Sequence, residues 1–147
     1  MEKKKMETYF QMKERQQKEM DAFPLGAAFS RVQFKEMMEG WGLTTDDTDK
    51  ILSVGAGCFI QKKDKAAFLS MFSRFDKEKE QGFKDDEFLY SAFRYEFDNH
   101  ECYYTGNPSP ALCSLGFSRK KIETNERLNR IYKLAWKDGL KSYNEKK

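Results

Sequence analysis

The spacing of apolar residues predicts a mainly helical chain with two strongly amphipathic segments at its centre. Over residues 64–80, apolar side chains recur at helical spacing on one face, and Lys, Asp and Glu occupy the other face. Over residues 85–99, apolar residues lie four positions apart, so they also share one face. We expect these two helices to form the centre of the core, which would contain Phe68, Phe72, Phe75, Leu89, Phe93 and Phe97.

Local start signals predict further helices on both sides of this pair. Ser30 and Gln33 have the spacing of a capping box, in which the side chains at the start of a helix bind free backbone amides. A short helix is expected over residues 110–115. A last amphipathic helix is expected to follow a cap at Ser118 or Asn125.

A glycine-containing segment separates two runs that are typical of β-strands. Residues 51–54 and 58–60 flank Gly55-Ala56-Gly57, which predicts a small β-hairpin. Two strands alone are only marginally stable in water. The hairpin is therefore expected to pack on helices or to pair with another extended segment, either residues 25–29 or residues 102–105.

These elements predict an α+β fold that is predominantly helical, with five or six helices and one small β-hairpin. The length of 147 residues is typical of one domain. We expect a single domain over residues 1–147, with a globular core over 23–143 and a peripheral N-terminal helix over 1–22, where the apolar stripe is thin. Aromatic residues make up 15% of the chain, and each can bury about 150–250 Å², so they can build this core.

The sequence also predicts the compartment of the protein. No apolar run approaches the ~18 residues that a membrane helix needs, and the first residues are charged where a signal peptide is apolar. Three cysteines form no even framework of disulfides, which favours free thiols in a reducing compartment. We therefore expect a cytoplasmic protein without a membrane partner, and the oligomeric state stays open.

Basic residues are concentrated toward the C-terminus, although the net charge is only +3. Residues 118–147 carry 10 basic and 4 acidic groups, whereas residues 25–117 carry 11 basic and 15 acidic groups. Such asymmetry can steer the encounter with a charged partner. The candidate partner-binding residues form two clusters, the first being Lys62, Lys63 and Lys65, and the second being Arg119, Lys120, Lys121, Arg130, Lys133, Trp136 and Lys137.

The second cluster is open to more than one interpretation. Arg130, Lys133 and Lys137 share a helix face, and Tyr132 and Trp136 lie close to them in sequence. These residues are suited to contacting phosphates and stacking a base, or to pairing with an acidic protein surface. The alternative without a partner is a solvated helix face whose aromatic side chains turn inward.

The only histidine lies in the one segment with candidate catalytic chemistry. His100 would act as a general base oriented by Glu96 or Glu101. Alternatively, it ends a helix, complements the helix dipole and binds a backbone carbonyl. The Cys and His residues match no familiar zinc spacing, so neither a metal nor a cofactor is expected. The possible polar site comprises Tyr95, Glu96, Asn99, His100 and Glu101.

Three segments resemble small uncharacterised proteins that are encoded by phages and mobile elements. They are residues 53–60, 93–101 and 111–116, and the first two have motifs of the form VGAGxFI and YExxNHExxxT. The resemblance spans roughly residues 20–130. It implies an accessory protein that binds host machinery, a class in which some members inhibit defence nucleases.

We therefore predict a non-enzymatic small binding protein that modulates a bacterial macromolecular complex. Its most concrete form is a phage-type inhibitor of a host defence system such as a CRISPR-Cas nuclease. The expected partner is a protein or ribonucleoprotein complex in the cytoplasm of a bacterial host cell. The alternatives are a nucleic-acid-binding accessory protein and a small hydrolase or metal-dependent enzyme centred on His100.

Overall fold

The structure is a computed structural model that describes residues 7–146, so residues 1–6 of the predicted N-terminal helix lie outside its description. The described chain forms eight α-helices, two 3₁₀ turns (Thr48–Lys50 and Lys62–Asp64) and one sheet of three short strands. The helices are α1 (Tyr9–Ala22), α2 (Arg31–Gly40), α3 (Lys65–Gly82), α4 (Asp86–Asn99), α5 (Cys102–Thr105), α6 (Ser109–Leu115), α7 (Arg119–Thr124) and α8 (Glu126–Glu145). The strands are β1 (Gly26–Ala27), β2 (Ile51–Gly55) and β3 (Cys58–Gln61).

The predominantly helical α+β class is confirmed, but the prediction of five or six helices is wrong for two local reasons. The segment that follows Glu101 forms the one-turn helix α5, where an extended segment was considered as a strand partner. The last predicted helix is two helices, because both cap candidates are used. The Ser118 side chain accepts a hydrogen bond from the amide of Lys121 at 3.1 Å, and that of Asn125 accepts one from the amide of Leu128 at 2.9 Å.

The described residues fall into two compact units. One contains residues 7–15 and 77–146, and we call it the helical unit; the other is Gln16–Asp76, which we call the sheet unit. The single domain over 1–147 stays a prediction. The prediction that the helices over 64–80 and 85–99 together form the centre of the core is wrong. Leu89, Phe93 and Phe97 belong to the core of the helical unit, whereas the three phenylalanines of α3 lie in the sheet unit.

The core of the helical unit is built around α4. Leu89, Phe93 and Phe97 have no solvent exposure, and helices α6 and α8 pack against α4. Tyr9 and Met12 at the start of α1 are only 1% and 2% exposed and belong to the same core. The prediction of a peripheral N-terminal helix is therefore wrong for this part of α1. Although its apolar stripe is thin, the burial of these two large side chains stabilises its packing on the core.

The sheet unit contains the predicted hairpin together with a third strand. Strands β2 and β3 pair antiparallel, and β1 adds to the free edge of β3, with Gly26 opposite Phe59. The pairing therefore uses the first of the two expected segments, and the second segment is helix α5 instead. Phe72 was expected in the core, but 37% of it is exposed.

Candidate functional site

The C-terminal basic residues lie on α7 and α8 of the helical unit. Along α8, four basic side chains point to solvent and recur at helical spacing: Arg130, Lys133, Lys137 and Lys141, which we call the α8 basic face. Leu134 lies among them and is 50% exposed. The sequence interpretation missed Lys141, although its position four residues after Lys137 was a usable signal.

The lysines and the arginines of this region differ in their partners. Arg127 donates to Asp86 at 2.6 Å and to the carbonyl of Phe83 at 2.8 Å, and Arg130 lies 3.7 Å from the same carboxylate of Asp86. Within residues 7–146, the three lysines of the face form no ion pair. The free positive charge of α8 is therefore concentrated on its lysines.

A cavity of about 300 Å³ links α7 to the α8 basic face. Arg119 and Lys133 both line it, and Arg119 also donates to the Ser109 hydroxyl at 3.2 Å. Lys120 and Lys121 are exposed on α7, and the Lys121 ammonium lies 5.4 Å from the centre of the Phe117 ring. The basic residues of the second predicted cluster thus lie on two neighbouring helices, α7 and α8.

Trp136 of this cluster and the nearby Tyr132 turn toward the core. The ring of Tyr132 contacts Phe93 and Phe97 at centroid distances of 5.7 and 5.9 Å. The ring of Trp136 contacts Phe97 and Tyr103, both at 5.1 Å. Both residues are half-buried, so the α8 basic face carries no freely exposed aromatic ring.

The first basic cluster belongs to the other unit. Lys62 and Lys63 lie in the 3₁₀ turn after β3, and Lys65 begins α3; all three are exposed. The first cluster therefore does not form a row along one helix, whereas the residues of the α8 basic face do.

The predicted polar site contains a hydrogen-bonded triad around a buried carboxylate. Glu96 is 1% exposed; its Oε1 accepts from the Tyr9 hydroxyl at 3.2 Å, and its Oε2 lies 3.2 Å from His100 Nε2. Burial, followed by the nearby Glu96 carboxylate, raises the pKa of Tyr9 far above its usual range. The triad joins α1 to the C-terminal end of α4.

The other residues of the predicted polar site do not join the triad. Tyr95 packs its ring against Tyr9 and Phe10 at centroid distances of 5.4 and 5.8 Å. Asn99 and Glu101 are exposed. The backbone of Glu101 is left-handed, with φ of 52°, and this residue reverses the chain between α4 and α5.

Residues 7–146 contain neither a cluster of metal ligands nor a membrane-spanning helix. Residues 7–146 contain no group of three or more His, Cys, Asp or Glu side chains placed to bind a metal ion. Cys102 is fully buried, and this burial raises the pKa of its thiol. No helix in the same residues is both long enough and apolar enough to cross a bilayer.

Comparison with known proteins gives one match. A family model described as a family of unknown function (DUF7659) matches residues 8–138. The match begins one residue before α1 and ends within α8. No curated protein and no solved structure matches the chain.

Proposed function

The chain belongs to this family of unknown function, and we propose from its own residues that it is a non-enzymatic binding protein that docks the α8 basic face on an acidic surface of a macromolecular complex. The observation that carries the proposal is the row of exposed lysines that have no acidic partner within the described residues. A row of unpaired positive charges attracts an acidic surface during association, and the charges form ion pairs with that surface in the complex.

The partner is a protein surface or the protein part of a ribonucleoprotein. Leu134 supplies a half-exposed apolar contact within the face, which a phosphate backbone does not match. Single-stranded nucleic acid is held by stacking on exposed rings, whereas Tyr132 and Trp136 are engaged with core rings. Both features favour a protein partner over the nucleic-acid alternative.

The triad around Glu96 does not favour catalysis. A general base needs access to the proton that it removes. The candidate base is His100, whose Nε2 lies 3.2 Å from Glu96 Oε2 and is thus engaged within the protein, while Glu96 is buried with both carboxylate oxygens engaged. We therefore assign the triad a structural role, in which His100 contacts Glu96 at the C-terminal end of α4.

The concrete form of this proposal is a phage-type inhibitor of a host defence complex such as a CRISPR-Cas nuclease. It is supported by the resemblance of residues 53–60, 93–101 and 111–116 to proteins of phages and mobile elements. A small basic protein can occupy an acidic docking surface of such a complex without any catalytic group. This version predicts that the protein blocks nuclease activity stoichiometrically.

Two matched triple variants test the proposal in the full-length protein. Lys133→Glu/Lys137→Glu/Lys141→Glu reverses three charges on α8, and Lys62→Glu/Lys63→Glu/Lys65→Glu reverses three charges in the first basic cluster. All six side chains are exposed, so both variants should retain the far-ultraviolet circular dichroism of the unmodified protein. Each protein is used to capture partners from bacterial lysate, with and without nuclease treatment, and captured proteins are identified by mass spectrometry.

We expect a nuclease-resistant protein partner that the first-cluster variant retains and the α8 variant loses. Capture that nuclease treatment abolishes would favour the nucleic-acid alternative. Capture that survives the α8 reversal would refute the proposed face. For the inhibitor version, the same three proteins are added to a cleavage assay with the identified nuclease, where only the α8 variant should fail to inhibit.

A further inference from the structure

A second cavity in the helical unit has chemistry opposite to that of the α8 basic face. Its volume is about 480 Å³, and the described residues that line it are Asp98, Glu101, Tyr103, Tyr104 and Tyr143. Three phenol rings and two carboxylates thus form the lining, without a lysine or arginine among these residues. Electron-rich ring faces and carboxylates both attract cations.

The aromatic wall combines fixed and exposed rings. Tyr103 is 7% exposed and contacts the Tyr143 ring at a centroid distance of 6.2 Å and also contacts Phe97 and Trp136, so its position is set by the core. Tyr104 follows it on α5 and is 77% exposed. The Tyr103 ring is therefore preorganised, and the exposed Tyr104 ring can close on a ligand.

The two carboxylates stand where α4 ends. Asp98 is exposed in the last turn of α4 and acts electrostatically on the Tyr103 phenol. Glu101 lines the cavity and has a left-handed backbone, with φ of 52°. Arg94 also acts on Tyr103, but its Nη1 donates to the Tyr90 hydroxyl at 2.8 Å, outside the lining of the cavity.

We propose that this cavity binds an organic cation that carries a trimethylammonium group, either a free choline-type molecule or a trimethylated lysine side chain. Such a group is weakly hydrated, so little solvation is lost when it enters an aromatic cavity, and tyrosine faces bind it by cation–π attraction. The carboxylates balance its charge. The cavity is large enough for the group and part of the chain that bears it.

Calorimetric titration of the full-length protein with choline tests the charge requirement directly. The control ligand is 3,3-dimethylbutan-1-ol, which has the same shape without the charge. We expect saturable binding of choline with a Kd of about 1 mM or tighter and no saturable binding of the neutral alcohol. Equal binding of both ligands, or no saturable binding of choline or of a trimethyl-lysine peptide, would overturn the proposal.

Variants locate the site and identify the source of the cation. Tyr104→Ala should weaken binding by about 2- to 30-fold, and Tyr104→Phe should restore it, because phenylalanine keeps the ring face. Asp98→Asn/Glu101→Gln should weaken binding further, whereas Phe10→Ala, at a ring that is 51% exposed elsewhere in the helical unit, should leave it unchanged. A trimethyl-lysine peptide that binds at least tenfold more tightly than choline identifies a protein source, and the reverse order identifies a free small molecule. Unchanged affinity in Tyr104→Ala and in the carboxylate variant would contradict the assignment to this cavity.

Discussion

At the scale of single residues, the buried Glu96 explains how the candidate catalytic segment is joined to α1. A carboxylate that is 1% exposed is costly unless its oxygens are hydrogen-bonded. Tyr9 and His100 supply those partners from α1 and from the end of α4. The three polar groups therefore stabilise the helical unit as one set, and the loss of one leaves the others incompletely bonded.

Tyr9→Phe removes one hydroxyl from this set and should lower the free energy of unfolding by about 1–3 kcal/mol. Tyr95→Phe is the matched control, because the Tyr95 hydroxyl makes no hydrogen bond within the described residues. Urea unfolding is followed by the fluorescence of Trp136 in a Trp41→Phe background, which leaves one tryptophan in the helical unit. Equal stabilities of the two tyrosine variants would contradict a role for the triad.

The buried phenol of Tyr103 predicts a loss of stability at high pH. Burial, and next Asp98, raises the pKa of Tyr103 to about 12, whereas an unfolded tyrosine titrates near pH 10. The folded state thus favours the protonated phenol. The contribution of the protonated Tyr103 phenol to the free energy of unfolding is complete below pH 10. It is lost at about 1.4 kcal/mol per pH unit between pH 10 and 12.

Urea unfolding at several pH values compares the unmodified protein with Tyr103→Phe. The difference between their free energies of unfolding should be constant below pH 9 and should shift in favour of the variant by about 2–3 kcal/mol by pH 12. Parallel pH profiles across the whole range would show that this phenol titrates alike in the folded and unfolded chains.

At the scale of elements, local signals in the sequence predict helix starts and the hairpin well. Ser30 accepts from the Gln33 amide at 3.2 Å, and Asp85 accepts from the Phe88 amide at 3.0 Å, because these caps depend only on residues three apart. The same signal was missed at Thr8, which exchanges hydrogen bonds with Gln11 at 2.9 and 3.1 Å. Helix α5 had no such signal, since no side chain caps it.

Long-range contacts are the part of the fold that the sequence could not predict. The burial of Tyr9 against α4 joins residues 87 positions apart, and the pairing of Arg127 with Asp86 joins residues 41 positions apart. For the candidate site, the exposed row on α8 follows from helical periodicity. The pairing of its arginines and the inward turn of Trp136 depend on the neighbouring helices.

Gly139 shows how one element depends on its neighbour. A Cβ atom at this position inside α8 would overlap the Tyr103 hydroxyl and ring. Gly139→Ala should therefore lower the free energy of unfolding by about 1–2 kcal/mol, although alanine favours helix by about 1 kcal/mol. Gly40→Ala is the control at the end of α2, where no heavy atom beyond the chain neighbours and the helix's own backbone lies within 4 Å of the added Cβ, and it should be neutral or stabilising. Thermal unfolding of both variants measures the contrast, which a stabilised Gly139→Ala protein would contradict.

At the scale of the molecule, aromatic packing in the helical unit holds two surfaces of opposite chemistry. The α8 basic face presents lysines without acidic partners in the part of the chain that the structure describes, and the tyrosine cavity presents carboxylates. Both are carried by helices that share the core around Phe97. Recognition by charge on a rigid scaffold is the role that this arrangement supports.

Lysine footprinting of the complex with the captured partner tests this role most directly. An amine-reactive acetylating reagent is applied to the free protein and to the complex, and acetylation at each lysine is quantified by mass spectrometry. The account predicts that Lys133, Lys137 and Lys141 lose most of their reactivity in the complex, while Lys62, Lys63 and Lys65 keep theirs. Unchanged reactivity of the three α8 lysines, with protection at other positions, would contradict it.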